Sequence, residues 1–200
     1  MTIEARITPI WKKQKLFVAI FLMAFGGWFF WDGFVGYPRK NERYAAWRGY
    51  VTEGREAEWA EFAKAKGWKA DEWPAYVKEH NLDVKSRTAA MTPEQIAGQK
   101  VYGGITALIG LIVLAYWAQQ IRCVLRLDDE GVTSPAGTRV PFTAITGLGL
   151  KKWESKGYAT VRYALGGRKG EFLIDDYKFD TEPTRAIVDE IKRRLEERPA

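Results

Sequence analysis

Cysteine and histidine are almost missing from this chain, with one of each among 200 residues, Cys123 and His80. A lone cysteine excludes an intramolecular disulfide and any metal site built from several thiolates. His80 falls at the end of an expected short helix, where a cap or surface role fits better than metal ligation. No G-x-S-x-G, Walker loop or H-E-x-x-H occurs. The glycine-rich GGRKG at 166–170 joins two expected strands, whereas a phosphate loop needs a helix after it. Asp128-Asp129 and Asp175-Asp176 are adjacent carboxylates at strand ends, and neighbouring strand residues point to opposite faces. No nucleophile or base is held by a second group. We therefore expect no enzyme, no catalytic residue, no cofactor and no metal. A dense basic stripe is also missing. The 31 basic and 25 acidic residues leave a net charge of +6, too diffuse for nucleic acid.

What the chain has is apolar sequence in two blocks. Residues 16–37, LFVAIFLMAFGGWFFWDGFVGY, carry one charge, Asp32. Residues 101–118, VYGGITALIGLIVLAYWA, carry none. As helices they measure roughly 33 Å and 27 Å, enough to cross a bilayer. Trp28, Trp31, Tyr37, Tyr102, Tyr116 and Trp117 stand near their ends, as interfacial aromatics do. Neither block has a polar face, which argues against a buried core helix. A cleaved signal peptide is disfavoured because the apolar run continues past any small-residue cleavage site. Asp32 lies beyond the Trp-rich end of its block and reads as a solvated residue at the interface. Gly26, Gly27, Gly103, Gly104, Ala107 and Gly110 offer small surfaces, and Gly103 and Ala107 have the spacing that lets two helices approach closely. The expected division is a basic N-terminal segment (1–15), a first span (16–37), a loop (38–100), a second span (101–120) and a C-terminal module (121–200). The basic N-terminal segment favours both termini in the cytoplasm.

The loop contains a repeat. EWAEFAKAKGW at 58–68 aligns with EWPAYVKEHNL at 72–82. Each copy reads as a short helix with an apolar face, Trp59, Phe62 and Ala63, then Trp73, Tyr76 and Val77. Gly67 and Asn81 suit the left-handed position after a helix, and Asp71 suits an N-cap. Thr92-Pro93-Glu94-Gln95 reads as a capping box opening the second long helix. Structural packing is the default role of the tryptophans. Trp59, Trp68 and Trp73 are the candidates for a partner site, because aromatics concentrate at binding hot spots.

From residue 121 the period becomes two. Cys123, Leu125 and Leu127 share one face. Turn signals separate short strands, the last three at 146–153, 158–165 and 171–175. Ile187, Val188, Ile191 and Leu195 then mark one side of a helix over 183–197, with Asp180 or Thr181 as its cap.

The stretches LRLDDEGVTSPAGTRVPFTAITGL, KKWESKGYATVRY and EFLIDDYKF, followed by that helix, resemble the bacterial pleckstrin-homology-like (PH-like) domain over about 80 residues. The resemblance implies an α+β membrane protein: a two-helix transmembrane hairpin, a small helical inter-span domain, and a C-terminal split β-barrel closed by one α-helix. It also implies a bacterial inner-membrane protein that serves as a protein-interaction or membrane-associated module. The expected partners are the bilayer and a protein of unknown identity, with a homo-oligomer left open. The alternative is a lipid-binding module, with Lys151, Lys152, Lys156, Arg168 and Lys169 as headgroup candidates. Against it, phosphoinositide-binding relatives use a basic first hairpin, where this chain has Asp128-Asp129-Glu130. The module also carries 15 basic and 13 acidic residues, only +2. The Trp-rich loop is no part of the family pattern.

Overall fold

The computed structural model describes residues 2–198. In chain order, β1 (Ile3–Arg6) is followed by α1 (Pro9–Trp31), a π-helical segment (Asp32–Gly36) and α2 (Tyr37–Thr52). Next come α3 (Glu56–Ala65), α4 (Glu72–Glu79) and the long α5 (Pro93–Gln120). Then follow β2 (Val124–Leu127), β3 (Gly131–Thr133), β4 (Arg139–Pro141), β5 (Ile145–Lys152) and the single turn α6 (Trp153–Lys156). The chain closes with β6 (Tyr158–Leu165), β7 (Arg168–Asp175) and α7 (Thr181–Glu196). The fold is α+β, with two antiparallel sheets and two helices long and apolar enough to cross a membrane. Two compact units divide it, one of residues 1–20 and 112–200, the other of residues 21–111.

The first unit is the β module. Its sheets run β1-β2-β3-β4 and β5-β6-β7. No ladder joins them among the described residues, so the expected barrel is not closed. Both sheets and α7 share one core. Ala5, Leu125, Leu127, Val132, Val140, Ile145, Ala159, Val161, Ile174, Ile187, Val188 and Ile191 are buried in it. The period-two face expected from Leu125 and Leu127 is real, and exposed Arg126 between them pairs with Glu4. Gly131 admits the closest backbone approach. A Cβ there would stand 2.3 Å from the Val140 carbonyl oxygen. Asp128 Oδ1 builds the turn before it by accepting from the Glu130 and Gly131 N–H groups at 3.0 and 3.1 Å.

Three expectations need correction here. Residues 3–6 are not a loose basic segment. They form an edge strand in register with β2, Ile3 opposite Leu127 and Arg6 opposite Val124. Four alternating residues are too few to mark a strand whose partner lies about 120 positions away. The turn expected over 166–170 is only Gly166-Gly167. Their φ values of 57° and 77° make the two-residue hairpin loop that matches strand twist. Arg168 and Lys169 therefore lie in β7. Finally, Trp153 is not in a strand but begins α6, which ends at left-handed Gly157, φ 70°. Asp180 occupies the N-cap position of α7, but its side chain makes no capping bond.

α1, the π segment and α2 form one helical run, unbroken from Pro9 to Thr52, which belongs to the second unit from Phe21 onward. Residues 38–52, expected within a loop, thus continue the first long helix. Pro38 lies in the first turn of α2, directly after the π segment, where the Tyr37 N–H donates to Asp32 O. That wider turn accommodates a residue without a donor. Gly26 meets α5 with no room for a side chain. A Cβ there would stand 2.8 Å from Ala107 N and 3.0 Å from Gly103 O. The small-residue surface expected between the apolar blocks is therefore a backbone contact.

The Trp-rich loop has its own core of Tyr44, Trp47, Trp59, Ala63, Trp73 and Ala90. Both repeats close alike. Gly67 (φ 69°) and Asn81 (φ 47°) turn left-handed, and the next N–H groups, Trp68 and Leu82, reach Ala63 O and Val77 O at 2.8 and 3.0 Å. The capping box forms. Gln95 N–H donates to Thr92 Oγ1 at 3.3 Å, and Thr92 N–H donates to Gln95 Oε1 at 2.8 Å. Asp71 stands at the N-cap of α4 without a side-chain bond.

Candidate functional site

Trp59 and Trp73 are 4% and 2% exposed. Trp59 Nε1 donates to Ala70 O at 2.8 Å, and the Trp73 ring meets Tyr44 edge-on at 5.3 Å. These two rings are core, the structural role the sequence made their default. Trp68 differs. It is half-buried and lines an open cavity of about 570 Å³ with Arg43, Lys69, Asp71 and Glu72. Arg43 is tied to Glu72 at 3.2 Å. His80 is exposed at the C-cap of α4, its ring 4.4 Å from Tyr76.

The five candidate headgroup cations are all exposed, but they do not converge. Strand register decides this. Lys152 stands opposite Tyr158, and Tyr158 opposite Asp175, at one end of the three-stranded sheet. Leu165 stands opposite Arg168 at the other end. Strands of this length separate the ends by roughly 23 Å. Lys151, Lys152 and Lys156 therefore form one group, and Arg168 with Lys169 another.

The lysine end abuts the roots of both long helices within the same unit. Tyr177 Oη meets Gln14 Oε1 of α1 in a short hydrogen bond. Lys178 Nζ donates to Gln120 Oε1 of α5 at 2.5 Å and lies over the Trp11 ring, 5.4 Å from its centroid. Burial pushes the Lys178 ammonium below its usual pKa, against the opposing pull of Cys123 and Asp175. Trp117 Nε1 donates to Lys12 O at 2.9 Å, which ties α5 to α1. Asp176 N–H donates to Gly157 O at 2.9 Å, which joins α6 to the same corner. Trp11, Gln14, Tyr177 and Lys178 escaped the sequence reading, since none belongs to a periodic pattern.

On the outward face of this end lies a cavity of about 350 Å³, lined by Gly149, Lys151, Lys152, Tyr158, Thr160, Arg162 and Leu173. Three cations and two hydroxyls face it without a carboxylate. Leu173 is 50% exposed beside them. The adjacent carboxylates serve elsewhere. Asp175 Oδ1 accepts from the Tyr177 and Lys178 N–H groups, and Asp176 Oδ2 pairs with Arg185 at 3.0 Å. A second cavity of about 430 Å³ lies between α7 and the β1–β2 end. Its Glu190 is gripped by Arg193 and Arg194, which hold the carboxyl down to about 2.

No family model, curated protein or solved structure matches the chain.

Proposed function

We propose that the protein is a non-enzymatic, two-span integral membrane protein whose PH-like module holds a protein partner at the membrane surface. One observation carries the reading: the two long apolar helices are inserted between β1 and β2. Only two residues separate Arg6 from Pro9, and three separate Gln120 from Val124. Because β1 pairs with β2, a chain that leaves through α1 must return through α5 to the same side. Two crossings satisfy that. Cleavage after the first apolar block would remove β1 and buried Trp11 from the module, which supports an uncleaved anchor. The basic residues before α1's apolar run favour the cytoplasmic side for both termini. Short connections make the module a fixed platform rather than a tethered head.

The PH-like reading draws support from a four-stranded and a three-stranded antiparallel sheet around one core with a C-terminal helix. Within it, β7 is the edge best suited to an added strand. It pairs with β6 over eight unbroken positions, whereas β5 carries register shifts. The flank of β1 is partly bonded by residues 178–180. An extended partner segment would take main-chain hydrogen bonds from β7 and seat a side chain by Leu173.

The test is crosslinking of tagged full-length protein in its host, then mass spectrometry. A stoichiometric partner lost with Leu173→Glu and retained with Trp68→Ala supports the adaptor reading. Loss with Trp68→Ala alone moves the function to the helical loop. Absence of any partner refutes it.

A further inference from the structure

We propose that the lysine end of the three-stranded sheet binds anionic phospholipid headgroups of the bilayer that the protein spans. The proposal rests on the two-span reading and concerns the basic side of the cavity whose Leu173 also borders the proposed partner edge of β7, so its test changes the lysines and leaves Leu173 in place. Depth comes first. Gln14 precedes the uncharged run from Leu16 by two residues, about 3 Å of helix. The headgroup layer is roughly 5–7 Å thick on each side. Tyr177, bonded to Gln14, therefore stands at headgroup level. From it the path to the cations is short: Tyr177 follows Asp176, whose N–H holds Gly157 O, and Lys156 precedes Gly157.

Charge comes second. Asp175 Oδ1 accepts from two backbone N–H groups and Asp176 Oδ2 pairs with Arg185, while the buried Asp176 Oδ1 has no partner; neither carboxylate lines the cavity beside Lys151 and Lys152. Glu154 is the acidic neighbour left in α6. Glu171 faces Arg162 in register, on the side away from the helix roots. Lys151, Lys152, Lys156 and Arg162 have no ion pair among the described residues. The cavity lined by Lys151, Lys152, Tyr158, Thr160 and Arg162 offers ammonium, guanidinium and hydroxyl donors, the set that a phosphodiester oxygen takes. Arg168 and Lys169, at the far end, lie beyond the Debye length of about 8–10 Å and contribute little.

The experiment uses the full chain with Cys123→Ser and Ser155→Cys, labelled with bimane at 155 and reconstituted in nanodiscs. Discs contain phosphatidylglycerol and phosphatidylcholine, with one or the other brominated. Each juxtamembrane lysine favours an anionic surface about fivefold. Three beside the label should make brominated phosphatidylglycerol quench at least about fivefold better than phosphatidylcholine at equal mole fraction. The preference should vanish with Lys151, Lys152 and Lys156 all changed to Gln, and persist with Arg168→Gln and Lys169→Gln. Circular dichroism confirms that each variant is folded. Equal quenching by both lipids, no quenching by either, or equal sensitivity to the Arg168 and Lys169 changes overturns the proposal. Failure to recover the protein with the discs overturns instead the two-span reading beneath it.

Discussion

Trp11 tests whether the first ten residues belong to the β module. It is 4% exposed, with its ring 6.2 Å from Tyr116 and Lys178 above it. Its N–H donates to Thr8 Oγ1 at 3.2 Å. Trp11→Ala keeps that backbone bond and removes the whole indole from a core of two sheets and one helix. Truncations of this kind cost about 3–5 kcal/mol, a large part of the about 5–15 kcal/mol that holds a domain together. For a unit of this size that lowers Tm by at least about 12 °C. Half-buried Cys123 is the convenient probe, because it lies at the root of α5 and no second thiol competes. Its alkylation rate in mild detergent, followed against temperature, should rise at a lower midpoint in Trp11→Ala. Trp31→Ala, which removes a ring 59% exposed, should leave the midpoint in place. Equal midpoints for wild type and Trp11→Ala would refute both the N-terminal contribution to the core and the inserted-hairpin architecture.

Gly103→Leu should separate α1 from α5, since a Cβ at Gly103 would stand 3.0 Å from Gly26 O and 3.1 Å from Phe30 N. The cost of about 1–3 kcal/mol would appear as lost disulfide crosslinking between cysteines placed at 29 and 102, a pair whose rings now lie 6.3 Å apart. Glu190 is depressed from 4.5 to about 2 by Arg193 and Arg194, so its contribution to stability is complete above about pH 4.5 and is lost as pH falls toward 2. The fall in Tm across that window should be shallower in Glu190→Gln, and an unchanged slope would show that the carboxylate is irrelevant. Thr92→Ala removes one half of the capping box and should cost about 1 kcal/mol, read as faster hydrogen exchange at residues 94–96 with little change at residues 105–115.

The parts legible in the sequence were those encoded within a few turns or strands. Apolar runs marked α5 and most of α1. Gly67 and Asn81 marked two helix ends because only residues tolerant of positive φ serve there. Alternation marked β2, β5 and β6. The helix over 38–52 was hidden by Pro38, which normally ends a helix and here follows a π segment. The candidate surfaces were less legible still. For Trp59 and Trp73 packing was the default and a hot spot the alternative, and only the enclosing rings of the fold separate the two; the five cations formed one group in composition but two in register.

By itself the sequence determined two membrane-length helices, a repeated helical loop, and a strand-rich module ending in an amphipathic helix, because periodicity and turn chemistry are local. Only the tertiary structure decided that Ile3–Arg6 completes the sheet. The same holds for the apolar hairpin springing from the β1–β2 junction, and for Lys151, Lys152 and Lys156 flanking the helix roots while Arg168 and Lys169 do not. Those facts depend on pairings between distant segments. The energy of such contacts is set by which surfaces meet after folding, and no window along the chain contains both partners.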